Sequence, residues 1–127
     1  MIPNNDKDCF CRIEMVADFD SKFICTKKDG EEIFSVHFSG NLISKFFSVS
    51  QGYLLCFSSR SQISRVMGGA LLVDLKGKEL WWAEKSKYCD LYSNIFVKDR
   101  DLIAYDGEFN CYLDWDSGKI LKYDFVK

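Results

Sequence analysis

The chain has 127 residues, of which 47% are apolar, 28% charged and 16% aromatic, with a formal net charge of −2. That length holds one core, so residues 1–127 form a single domain, and the balance excludes a disordered chain, a collagen and a coiled coil. The slight negative charge also speaks against a nucleic-acid-binding domain, which needs a basic face.

The first eight residues are polar and acidic and carry no charged-then-apolar leader pattern. Nowhere does an apolar run approach the ~20 residues that cross a bilayer as a helix. The expectation is a cytoplasmic protein that does not enter a membrane. Six cysteines stand at Cys9, Cys11, Cys25, Cys56, Cys89 and Cys111. Without a leader they are expected as six reduced thiols, several of them packed as small hydrophobes. Cys9-x-Cys11 is too tight for a zinc knuckle and no C-x-x-C occurs, so no metal is expected.

Taken in chain order, strands are predicted over 10–16, 46–49, 53–57, 95–97 and 102–105, where β-branched, aromatic and aliphatic residues cluster. A short helix is predicted over 61–67, and Gly68-Gly69 reads as a turn or bulge before a strand. Three further segments share one pattern, each with a polar step, a glycine and a resumption of apolar residues. They run from Ile24 to Phe34, Leu72 to Trp81 and Tyr112 to Tyr123, with marker glycines Gly30, Gly77 and Gly118 separated by 47 and 41 residues. Each reads as a β-hairpin, because Asp29-Gly30, Lys76-Gly77 and Ser117-Gly118 supply the positive φ that a tight turn demands. Gln51-Gly52 and Asp106-Gly107 add two more turns. The fold class is therefore all-β, an antiparallel meander of about three hairpin units.

The stretch from Asp101 to Gly107, followed by Tyr112-Leu113-Asp114-Trp115-Asp116-Ser117-Gly118-Lys119-Ile120-Leu121, resembles a blade of quinoprotein-like β-propeller repeats. Val73-Asp74-Leu75-Lys76-Gly77-Lys78-Glu79-Leu80-Trp81 resembles the same half-motif. The resemblance implies blade-like hairpins and does not extend to the quinone cofactor, so no cofactor is expected. A closed propeller needs about four to eight blades of roughly forty residues, and this chain has room for three. It is expected to form an open or sandwich-like stack of meanders rather than a closed ring. A fraction of a propeller completed by self-association is the other arrangement that the length permits.

Residues that could carry chemistry are few. The single histidine, His37, sits in an alternating strand with no nucleophile or base signature, and no G-x-S-x-G elbow is present. No glycine loop opens a helix, so no phosphate cradle is expected. Trp81-Trp82 would place one indole on each face of a strand, one in the core and one partly exposed as an anchor. Asp114 and Asp116 would share one face of a strand, with Trp115 opposite. That spacing fits an acid–base pair, and equally two solvated carboxylates beside a turn.

Charge is uneven along the chain. Residues 1–20 carry two basic and five acidic groups, residues 41–98 eight basic and four acidic, and residues 99–127 four basic and seven acidic. An acidic carboxyl-terminal region beside Tyr105 and Trp115 could steer a basic partner. Small acidic, aromatic-rich proteins without catalytic signatures resemble in kind the immunity proteins of bacterial toxin systems such as contact-dependent growth inhibition. That resemblance implies a non-enzyme, a monomer or weak dimer, whose partner is a basic toxin domain, with a nuclease as the expected class. The partner-binding set is then Tyr105, Asp106, Glu108, Asp114 and Asp116, with no cofactor, nucleic acid or membrane. The alternative is a propeller-like structural or scaffold unit that self-associates.

Overall fold

Glycine sets the repeat of this structure. Gly30, Gly77 and Gly118 adopt φ of 93°, 86° and 74°, a region that costs any residue with a Cβ. Each closes a hairpin by bonding back across the turn: Gly30 N–H to the Lys27 carbonyl and Gly77 to Asp74, three residues back, and Gly118 to Asp114, four back. Side chains finish two of the turns alike. The Asp74 carboxylate accepts from the N–H groups of Lys76 and Lys78, and the Asp114 carboxylate from that of Asp116.

The computed structural model describes residues 9–58 and 69–126, so the predicted helix over 61–67 lies outside the described residues. Eleven strands are present among them: β1 (Cys9–Ala17), β2 (Asp20–Lys27), β3 (Glu32–Ser39), β4 (Ile43–Val49), β5 (Gly52–Phe57), β6 (Ala70–Asp74), β7 (Glu79–Trp82), β8 (Asn94–Lys98), β9 (Asp101–Tyr105), β10 (Phe109–Leu113) and β11 (Ile120–Phe125). They form three antiparallel meanders. β1 to β3 make an amino-terminal sheet, β4 to β7 a central sheet and β8 to β11 a carboxyl-terminal sheet. The fold class read from the sequence is therefore the observed one, and the stack does not close.

The sheets lie in sequence order, each on the next. One core joins the amino-terminal and central sheets through Phe23, Cys25, Phe34 and Phe38 against Tyr53, Leu55, Leu71 and Val73. The other joins the central and carboxyl-terminal sheets through Leu54, Leu72 and Trp81 against Leu102, Ala104, Cys111 and Trp115. Pleating explains this division, since alternate residues of β5 point to opposite faces and both faces are covered. All six β5 residues, Gly52–Phe57, are buried as a result. The tryptophan pair follows the same alternation. Trp81 enters one core, whereas Trp82 stacks on Phe57 at 5.6 Å against the other and stays partly exposed, as the alternation predicts.

The cysteines differ from the expectation of six thiols. Cys11 and Cys25 are direct cross-strand partners on β1 and β2, with Cα atoms 4.2 Å apart, and they form a disulfide. That separation is the narrow spacing of a non-hydrogen-bonded antiparallel pair, which brings two side chains of one face together. Cys9, Cys56, Cys89 and Cys111 are free. Burial pushes the Cys56 thiol up to about 12, against a lesser pull from Lys45, so it stays protonated. Thiol titration in denaturant, on protein equilibrated in air without reductant, should count four groups, and six after reduction. Six before reduction would overturn the pairing.

Candidate functional site

The five residues expected to meet a partner do not form one patch. Tyr105, Asp106 and Glu108 lie at the β9–β10 turn, whereas Asp114 and Asp116 follow β10 at the far end of that strand. A five-residue strand is about 17 Å long, so the two groups are that far apart along the sheet.

Asp106 has a structural task. It is only 4% exposed. Its carboxylate accepts from the N–H groups of Glu108 and Phe109 at 2.9 and 2.7 Å and from the Ser86 hydroxyl at 2.5 Å. Burial raises its pKa, yet the Ser86 hydroxyl and the two N–H groups outweigh that and hold the carboxyl below the usual range. A carboxylate so enclosed tethers the β7–β8 connection to the β9–β10 turn and has no free face for a partner. Glu108 is exposed. Tyr105 is half-buried, and its hydroxyl donates to the Gly107 carbonyl at 2.8 Å.

Asp114 and Asp116 lie on the β10–β11 turn and not on a strand, because β10 ends at Leu113. The strand alternation expected for them therefore does not apply. Asp114 Oδ1 accepts from the Asp116 N–H at 3.1 Å and Oδ2 from the Ser117 hydroxyl at 2.9 Å. Asp116 is exposed and accepts from the Gln51 side-chain amide at 3.3 Å. Trp115 is not the exposed aromatic that its neighbours' charge suggested. It is buried, and its indole N–H donates to the Arg100 carbonyl at 2.9 Å.

The two carboxylates border an open concavity of about 370 Å³ lined by Ser50, Asp101, Leu102, Leu113, Asp114, Trp115, Asp116 and Leu121. Asp101 enters this rim from the β8–β9 hairpin, where it pairs across the strands with Lys98. Leu121 stands on its edge with 68% of its surface exposed. Three carboxylates around an apolar floor form a place for a cationic side chain with an aliphatic stem. Arg100 and Lys119 belong to the same two turns.

Asp101 was missed by the sequence reading because it belongs to a hairpin thirteen residues upstream of Asp114, and only sheet pairing unites them. Elsewhere, a cleft of about 230 Å³ separates β4 from β8 and is lined mostly by polar groups, with the Lys45 amine donating to the Asn94 side chain at 3.0 Å. His37 is exposed and lies 4.0 Å from the Asp20 carboxylate, on the outer face of the amino-terminal sheet. Among the described residues no group of three or more His, Cys, Asp or Glu side chains is arranged to hold a metal. No described helix is long and apolar enough to cross a membrane. No family model matches the chain, and no curated protein or solved structure matches it either.

Proposed function

We propose that this protein is a non-catalytic binding module, an immunity protein that occupies and neutralises a basic bacterial toxin domain, with a nuclease as the toxin class. One observation carries the reading: Asp101, Asp114 and Asp116 ring an apolar concavity at one end of a rigid sheet stack. Asp114 is fixed by its own turn, so this part of the acidic surface is pre-organised and loses little freedom on binding. Nuclease clefts are basic because they hold phosphates, and a carboxylate rim is the complementary surface. Such a protein acts in the cytosol, where thiols are kept reduced. The β1–β2 hairpin keeps its ladder there with or without the Cys11–Cys25 bond, since the two strands are already paired along their length.

The test is binding to the protein encoded beside it. Asp101→Lys and Asp116→Lys should each weaken the complex by at least about tenfold, mostly for the association rate, and added salt should act in the same direction. Both carboxylates are exposed, so thermal unfolding should be unchanged. Failure of the unaltered protein to bind or inhibit that product overturns the immunity reading. Full binding by the doubly reversed variant overturns the site and leaves the immunity reading in place.

A further inference from the structure

The two inter-sheet contacts are built from the same peg and socket. Phe34, four residues after Gly30, points from the amino-terminal sheet onto the central sheet's turn, where a Cβ at Gly77 would lie 2.5 Å from its ring. Trp81, four residues after Gly77, points from the central sheet onto the next turn, where a Cβ at Gly118 would run into its indole. The series has two unused ends. In front of Gly30 a Cβ would meet nothing within 4 Å, so this socket is open. The fourth residue after Gly118 is Lys122, and pairing with Tyr112 places it on the outer face of the carboxyl-terminal sheet.

We propose that copies of this chain associate head to tail, the outer face of the carboxyl-terminal sheet of one packing on the outer face of the amino-terminal sheet of another, with Lys122 entering at the Gly30 turn. The charges at the peg and at the open socket are complementary. The open socket is flanked by Asp29 and Glu31, with Lys28 one residue earlier, whereas the covered Gly77 socket is flanked by Lys76 and Lys78. Where the peg changes from an aromatic to a cation, the socket changes from basic to acidic.

One exposed apolar group agrees with the charges. Phe10, 62% exposed, pairs with Thr26 beside the Gly30 turn and gives the amino-terminal face an unburied ring. In the single chain Lys122 lies 4.4 Å over the Tyr112 ring and 4.0 Å from Asp124, and Glu31 lies 3.3 Å from Lys27. These are surface pairs that rearrange at small cost. A head-to-tail contact closes into a ring or extends into a stack, and either satisfies the inference.

Sedimentation equilibrium of the full chain, from micromolar to millimolar, tests this. The weight-average mass should rise above the 14.7 kDa of one chain as concentration increases, and should fall again with salt. Lys122→Glu and Glu31→Lys should each raise the dissociation constant at least about tenfold, and the double variant should regain association. That regain separates a reversed contact from a damaged fold. A protein that stays at one chain mass throughout overturns the proposal, and so does association that neither reversal alters. The outcome is independent of toxin binding, which rests on Asp101, Asp114 and Asp116.

Discussion

Gly118→Ala and Gly77→Ala are each expected to destabilise the fold by about 3 kcal/mol, and Gly30→Ala by only about 1 kcal/mol. All three glycines have positive φ, so every substitution meets the backbone penalty of roughly 1–2 kcal/mol that an added Cβ brings there. At Gly77 and Gly118 a second cost arises, because the new methyl would overlap the Phe34 ring or the Trp81 indole. Neither ring can withdraw easily. Phe34 is wedged among Phe23 and Tyr53 with centroids 6.0 and 6.1 Å away, and the Trp81 N–H is bonded to the Trp115 carbonyl at 2.8 Å. Overpacking of this kind typically costs about 1–3 kcal/mol. Gly30 faces open space and carries the backbone penalty alone. Urea unfolding of the three variants decides the matter. Equal losses at the three positions would refute the account of the glycines as seats for the rings of the preceding sheet.

The glycines were legible because a tight turn demands a conformation that one residue type adopts freely, and that demand is local. Strand identity was legible for the same reason. What was lost needed long-range register. Counting back from the Ala17–Asp20 closure of the first hairpin would pair Cys11 with Thr26. A bulge between Met15 and Ala17 shifts the ladder by one residue and sets Cys11 opposite Cys25, so the disulfide could not be counted from the sequence. The acidic site failed in a related way. Between its strands the β10–β11 turn holds residues 114–119 against 75–78 in the β6–β7 turn, with Gly118 bonding back four positions rather than three. The longer turn takes Asp114 off the strand, where its counterpart Asp74 ends β6, and Asp116 is a turn residue like Lys76. Trp115, between two carboxylates, looked like a surface residue, yet the turn folds its indole into the core. The strand over 53–57 was legible from its apolar residues, but its burial on both faces and the sheets that cover it were not.

Asp106→Ala should cost about 3–4 kcal/mol, the largest loss expected from any exchange of a charged residue here. The side chain bonds two backbone N–H groups and the Ser86 hydroxyl from a nearly inaccessible position. Truncation leaves those donors unsatisfied, at about 1–3 kcal/mol for each one that water does not reach. The damage would spread along the chain. Ser86 also accepts from the Tyr88 N–H at 3.1 Å, and Tyr88 stacks on Phe109 at 4.3 Å, so one carboxylate holds the β7–β8 connection against the carboxyl-terminal sheet. Asp106→Asn keeps an oxygen for the two N–H groups and should lose far less at pH 7. It should also change the response to acid. Because the folded-state pKa of Asp106 is held below that of the unfolded chain, near 4, the unfolded state binds more protons as pH falls. Its stabilisation is therefore complete above about pH 4 and is lost as pH falls through the lower folded value. Asp74, also lowered, chiefly by the Lys78 N–H bond, keeps its own share in the Asn variant. Urea unfolding at pH 7 and at pH 3 should then show a smaller drop for Asp106→Asn than for the unaltered protein. Equal drops would mean that the Asp106 carboxylate is not held ionised by the Ser86 hydroxyl and the β9–β10 turn.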